Sequence, residues 1–277
     1  MNQVMYTASV TMGQLQKKID TIGHNLANAD TNGYKRRETN FNELLFQQVN
    51  NQLEQNEDIG RRTPNSIRRG VGAKLSETNI RMEQGALKVT DRPLDVALKR
   101  PLDFFELLVE ETGGLATRYT RDGAFYLTPY EEGQLALVTQ NGDFVMGRDG
   151  EPIFLPENFK SINITDAGEI LVTFEDNTEQ FVGQLQVVHM LRPQLLLSTG
   201  ENQFALPDLE ELNLMEEEVY EIVAAEEGLV QQGALEMSNV DIATEMTELL
   251  TAQRSYQFNA KSISIADQMY GLISNLR

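Results

Sequence analysis

The chain has 277 residues and a mass of 31.2 kDa, enough for one or two domains with cores of their own. Lys and Arg number 23 against 42 Asp and Glu, so the net charge is −19 at pH 7, which speaks against a nucleic-acid binder and against docking on an anionic membrane surface. Cys is absent and the two histidines, His24 and His189, lie far apart, which excludes disulfides, thiolate nucleophiles and Cys-ligated zinc and leaves no His pair at ligand spacing.

No apolar run reaches the roughly eighteen residues that a membrane-spanning helix needs, so no membrane insertion is expected. The first thirty residues show no basic stretch followed by an apolar core, so no cleaved signal peptide is expected. Both features fit a cytosolic protein, and equally one exported without cleavage.

At the N-terminus Met1, Met5, Ala8, Met12, Leu15, Ile19, Ile22 and Leu26 alternate four and three apart, a narrow apolar seam on a helix from about Asn2 to Ala27. The helix is expected to stop in Asn28-Ala29-Asp30-Thr31-Asn32-Gly33, a run that tolerates left-handed backbone. The C-terminus mirrors it. Ser238-Asn239-Val240-Asp241 reads as an N-cap with an acid three residues on. Ile242, Met246, Leu249, Tyr256, Ala260, Ile263 and Tyr270 then keep a heptad phase, with Gln253 and Asp267 as polar seam positions. A stripe this narrow needs a partner helix, and the other terminal helix is the nearest. Residues 1–40 carry five Lys/Arg against three Asp/Glu, and 233–277 three against five, which favours the pairing slightly.

Between the helices the pattern changes to short alternating or apolar runs separated by Asp122-Gly123, Glu132-Gly133, Asn141-Gly142, Asp149-Gly150, Ala167-Gly168 and Asp176-Asn177. Such spacing predicts antiparallel hairpins. The expected fold is therefore mixed α and β: paired terminal helices in a coiled-coil-like layer (1–40 and 233–277) and a central all-β domain (85–210). Two stretches read as connectors: 41–84, with Arg61, Arg62, Arg68 and Arg69, and 211–232 within an acidic strip. That strip, 208–227, has nine carboxylates and no cation, so it is solvated or faces a basic partner.

A search for chemistry finds little. Carboxylate pairs such as Glu110/Glu111 and Glu226/Glu227 are what a glycosidase would use, but with 42 acids available their pairing carries no signal. No nucleophile elbow, P-loop or dinucleotide fingerprint is present. His189 sits in an apolar strand run and reads as a core or interface residue, and Phe104-Phe105 and Leu195-Leu196-Leu197 as buried strand core or interaction patches. No catalytic residue, cofactor or metal is expected.

The segment running from Asn25 through Asn28, Gly33, Tyr34 and Lys35 to Arg36 resembles the "NNLANANTxGYK" signature of bacterial flagellar rod and hook proteins. Ser238, Asn239, Val240 and Asp241, then Gln253, Arg254, Ser255, Tyr256, Gln257 and Asn259 resemble the other end of that family. Leu94-Asp95-Val96-Ala97, Phe104-Phe105 and the stretch from Tyr119 to Phe125 are similar to its central motif. The resemblance runs along nearly the whole chain and is nearest to the distal rod members. One departure is the gap from Leu98 to Asp103, which lacks the glycines usual there.

The resemblance implies a structural rod subunit, exported by the flagellar type III apparatus and polymerised with copies of itself and neighbouring rod or hook subunits. In such a tube the paired helices form the inner wall of the basal-body shaft. Met12, Leu15, Ile19, Ile22, Leu26, Ile242, Met246, Leu249, Tyr256, Ile263 and Tyr270 would be the assembly contacts. The alternatives are a hook or hook-associated subunit, an acidic carbohydrate-active enzyme and a cytoplasmic coiled-coil adaptor.

Overall fold

A computed structural model describes residues 2–43, 47–49, 67–69, 73–111, 114–131, 133–200, 202–209, 211–224 and 228–275. The chain divides into two compact units: Met1–Leu26, Arg37–Asn79 and Asp241–Arg277 form one, Ala27–Arg36 and Ile80–Val240 the other.

The first unit is built on two helices. Helix α1 spans Asn2–Ala27, about 39 Å at 1.5 Å per residue, and α2 spans Ile242–Asn275, about 51 Å. Helix α2 is capped by Asp241, whose carboxylate accepts from the Ala243 N–H at 2.9 Å and the Thr244 hydroxyl at 2.8 Å. The cap therefore lies three residues beyond the Ser238 expected from sequence. Asn239 explains the delay. Its side chain accepts from the Arg36 N–H at 2.7 Å and donates to the Arg81 and Glu83 carbonyls at 2.9 and 3.0 Å, so the chain is held out of helix until it has passed that residue.

The helices run antiparallel. Asn25 donates to Glu245 at 3.2 Å, and one helical stretch back Lys18 meets Glu248 at 3.1 Å. At equal rise this places Asn2 level with about residues 264–268, so the last two to three turns of α2 pass the start of α1. In the same unit the strands Arg37–Glu43 and Ala73–Ile80 pair, as do Gln47–Val49 and Ile67–Arg69. The stretch 41–84, read as a connector, thus carries strands; Arg61 and Arg62 lie outside the described residues.

The second unit is antiparallel β. Among the described residues, ten strands make the main sheet, with Asp103–Glu111 near its centre flanked by Gly114–Thr120, Phe144–Val145 and Val187–Met190. Successive side chains of a strand face opposite ways, and this strand separates two cores. Phe105 and Leu107 join one with Val187 and Phe125, and Phe104 joins the other with Val188, Tyr119 and Phe204. Both members of the Phe104-Phe105 pair are therefore core, whereas of the three leucines 195–197 Leu196 is buried and Leu197 exposed. A smaller three-stranded sheet, Ser161–Ile164, Glu169–Thr173 and Glu179–Gln184, adds Ile162, Ile164, Ile170 and Val172 to the first core.

The expected turns at Asn141-Gly142, Asp149-Gly150, Ala167-Gly168 and Asp176-Asn177 are present, each with a positive φ at its second residue. Asp122-Gly123 is different. A Cβ on Gly123 would lie 1.7 Å from the Val96 carbonyl oxygen, so this glycine serves a close approach of its segment to the strand Val96–Leu98. In the glycine-free gap Leu102 itself takes φ +69, and its carbonyl accepts from the Met190 N–H at 2.9 Å. The acidic stretch also departs from a connector: Tyr220–Ile222 pairs with Val187–Met190, and Val230–Gln232 with Val96–Leu98. Apolar Val219, Leu229 and Val230 supply the burial that the neighbouring carboxylates do not.

Candidate functional site

The helix pair is the first candidate surface. On α1, Ala8 and Ile22 are buried, and Met12, Leu15, Ile19 and Leu26 are half-buried. On α2 the packed face is centred on Glu245, Ala252 and Ala266, all buried, with half-buried Asn259 between them at the same seven-residue spacing. Leu249, Tyr256, Ala260 and Ile263 sit on one shoulder of that face and are half-buried, while Ile242, Met246, Gln253 and Tyr270 are exposed. The seam read from large apolar residues is therefore rotated from the packed one, whose centre is small or polar.

The far side of α2 carries a second apolar stripe that sequence periodicity did not single out. Phe258, Ile265, Met269 and Leu272 are exposed, Phe258 by 71 % and Leu272 by 65 %. At 3.6 residues per turn Phe258, Ile265 and Leu272 lie about 120–160° around the helix from Ala252. Nothing within the described residues covers them.

Polar groups lock the ends of the pair. Asn25, buried, donates to the Arg37 carbonyl at 2.8 Å and to Glu245 at 3.2 Å, and accepts from the Arg37 N–H at 2.9 Å. The buried Glu245 carboxylate thus has a hydrogen-bond donor where α2 begins.

A second polar cluster lies inside the β unit, where the chain arrives from α1 and leaves for α2. Glu236 is its centre. Its carboxylate takes the Lys35 ammonium at 2.6 Å, the Gly85 N–H at 2.8 Å, and Arg121 through Nε at 2.8 Å and Nη2 at 2.7 Å. The side chains of Lys35, Arg121 and Glu236 are 1 %, 0 % and 1 % exposed. Lys35 also donates to the Glu83 carbonyl at 2.7 Å, and Arg121 to those of Asp103 at 2.7 Å and Arg100 at 3.2 Å. Burial, then the neighbouring Arg121 guanidinium, push the Lys35 ammonium down to about 8 against the pull of Glu236.

Of the family-motif residues, Gly33 and Tyr34 border this cluster. Gly33, at φ +68, donates its N–H to the Glu236 carbonyl at 2.7 Å, and a Cβ there would lie 2.7 Å from the Arg121 carbonyl carbon. Tyr34 is buried beside it. Asn28 closes the turn after α1, its carbonyl accepting from the Thr31 N–H at 3.2 Å. Ser238 accepts from the Val240 N–H at 3.3 Å, and Asn239 ties both chain crossings as described. Asn259 donates to the Ser255 carbonyl one turn back at 2.9 Å. Lys35 and Arg121 stand in the quoted motifs, but their meeting at Glu236 was not legible there.

Other chemistry is sparse. Among the described residues no three His, Cys, Asp or Glu side chains converge as a metal site, and no helix is long and apolar enough to cross a membrane. His189 pairs through Nδ1 with buried Asp103 at 2.6 Å. A groove of about 480 Å³ is lined by Glu106, Tyr119, Asp208, Glu216 and Tyr220 among others. Burial raises the Glu106 carboxyl against the Gln186 amide that donates to it at 2.6 Å, and pushes Tyr220 up to about 12.

Three stretches of the chain match described families: 5–35 "Flagella basal body rod protein", 103–172 "Flagellar hook protein FlgE/F/G D1 domain" and 231–276 "Flagellar basal body rod FlgEFG protein C-terminal". The flagellar hook-basal body complex protein FlhP of Bacillus subtilis is 41 % identical over 281 residues, covering 99 % of this chain and 98 % of that protein. The flagellar basal-body rod protein FlgG of Borreliella burgdorferi is 33 % identical over 282 residues, covering 100 % and 99 %. FlgG of Bacillus subtilis is 30 % identical over 274 residues, covering 99 % and 98 %.

The chain belongs to the flagellar basal-body rod protein family. Its role is that of a structural subunit of the rod, within the flagellar basal body. Lys35, Arg121 and Glu236 fall one in each of the three matched stretches, so the buried cluster joins all three.

Proposed function

We propose that the subunit leaves the cell through the flagellar export apparatus without a cleaved signal peptide and polymerises helically, with copies of itself and neighbouring rod or hook subunits, into the hollow shaft. It is a structural element with no catalytic residue and no cofactor. The observation that carries this reading is the open stripe Phe258, Ile265, Met269 and Leu272 on a helix whose opposite face is already packed. Exposed apolar patches of this kind mark association surfaces. A contact that repeats between copies without closing on itself builds a filament.

In this arrangement α1 and α2 form the inner layer, 85–210 lies outside it, and 208–227 turns its carboxylates to solvent or to a basic neighbour. Met12, Leu15, Ile19, Ile22, Leu26, Leu249, Tyr256 and Ile263 hold the pair, while Ile242, Met246 and Tyr270 join the open stripe in meeting other subunits. A carbohydrate-active site in the groove beside Glu106 and Glu216 would find those carboxylates already engaged by Gln186 and Tyr220.

Helices with so much apolar surface uncovered gain much of their stability only on assembly. Amide exchange on the dilute monomer is expected to be slow in the β core and fast at 1–26 and 245–277. Uniformly slow exchange in the monomer would contradict coupled folding and assembly. A deletion strain is expected to keep its membrane ring and lose hooks and filaments; intact hooks would remove the rod assignment.

A further inference from the structure

The cluster around Glu236 joins segments that are remote in sequence, and its charges are unbalanced without that residue. Lys35 precedes Glu236 by 201 positions and Arg121 precedes it by 115. Both cations are fully enclosed in the folded β unit. Docking residues 27–36 against Arg121, just past the strand Gly114–Thr120, with Glu236 elsewhere, would bury two like charges with only carbonyl oxygens to receive them. A buried charge without its counter-ion is strongly disfavoured. Glu236 also supplies the acceptors for the N–H groups of half-buried Gly85 and of Gly33, the latter buried and otherwise unpaired.

We propose that Glu236 is a latch that fixes the order of folding: residues 27–36 dock onto the β unit only together with the strand Ala234–Glu236. Chains are made from the N-terminus. Lys35 and Arg121 therefore exist long before their shared carboxylate, and the crossing from α1 stays undocked until almost the whole chain is available. The latch makes a late residue the condition for an early segment to fold. This holds whatever the later fate of the subunit, so it stands apart from the assembly reading.

Two amides report the two sides of the latch. The Arg81 N–H, bonded to the Arg36 carbonyl at 2.8 Å, is protected when the first crossing docks. The Met237 N–H, bonded to the Ala86 carbonyl at 2.9 Å, is protected when the second one does. In pulse-labelled refolding of the full chain both are expected to become protected in one phase, at least threefold slower than the amides of Asp103–Glu111 and Gly114–Thr120. Lys35→Met removes the like-charge conflict, and in that variant the Arg81 amide is expected to gain protection at least threefold before Met237. In native Glu236→Gln protein the Arg81 amide should exchange faster than in wild type by a factor at least ten times larger than that seen for the amides of Glu169–Thr173. If the Glu236→Gln variant does not fold, the Lys35→Met refolding result decides. Protection of Arg81 together with the central strands in wild type, or an unbroken coupling of Arg81 to Met237 in Lys35→Met, would overturn the latch.

Discussion

Lys35 and Glu236, 201 residues apart, meet at 2.6 Å with both side chains sealed from water, and Arg121 closes on the other oxygen of the same carboxylate. One acid thus holds two cations in place, and its removal strands both. Glu236→Gln is expected to destabilise the β unit by about 3–5 kcal/mol, because the amide keeps the shape and loses the charge. The exposed bridge between Lys99 and Asp166 at 3.0 Å is the contrast, and Lys99→Met should cost under about 1 kcal/mol. Urea unfolding followed by strand circular dichroism measures both. Equal costs for the two variants would mean that burial of the cluster contributes nothing.

The same burial gives a pH signature of unusual sign. Lys35 is held at about 8 in the folded chain, below its ordinary 10.5, so between those values the unfolded chain binds the proton more tightly. Stability rises with pH wherever the unfolded state holds more protons. The cost of the buried ammonium is thus fully present well below pH 8 and is relieved as the pH rises through that value. Tyr220, pushed up to about 12 by burial, acts oppositely above pH 10. The unfolding free energy of wild type, taken from urea titrations, should therefore climb between pH 8 and 9.5, by up to about 2 kcal/mol, and decline only above pH 10. Lys35→Met should show no climb, and parallel profiles for the two proteins would exclude Lys35 as the source.

Gly33 and Gly142 both have positive φ, +68 and +94, but their surroundings differ. A Cβ at Gly142 meets nothing within 4 Å, whereas at Gly33 it would lie 2.7 Å from two backbone atoms of Arg121 and Asp122. Gly142→Ala carries the conformational cost alone, about 1–2 kcal/mol. Gly33→Ala adds a backbone collision that only undocking the 27–36 segment relieves, so a loss above about 3 kcal/mol is expected. Thermal unfolding of the two variants separates the contributions.

Much of this architecture follows from local pattern. The four-and-three spacing of Met5 to Leu26 marks α1, and the Gly and Asn turns mark the hairpins, because both signals are contained in a few neighbouring positions. The failures share a cause. Glu236 looks like any of 42 acids, since its partners lie 115 and 201 positions away. The packed face of α2 was misplaced because Ala252 and Ala266 are small, and helices approach closely over small residues while large ones, here Phe258 and Ile265, are left outside. Asp122-Gly123 was read as a turn because a glycine needed for close approach and one needed for a left-handed angle look alike in sequence.

The open stripe of α2 gives the most direct test of assembly. Phe258 and Ile265 are exposed, so replacing either by Asp removes no packing within the subunit, and the unfolding free energy of the dilute protein should stay within about 0.5 kcal/mol of wild type. In a rod the same substitution would place a charge in a dry contact between copies, repeated at every subunit. Phe258→Asp and Ile265→Asp strains are therefore expected to make stable subunit but not to swim. Asp at Ile19, Leu26 or Ile263, which are half-buried between the helices, should abolish swimming while leaving the β unit folded. Soft-agar halos and recovery of basal bodies distinguish these outcomes. Normal swimming with Asp at both 258 and 265 would show that this face of α2 meets no neighbour.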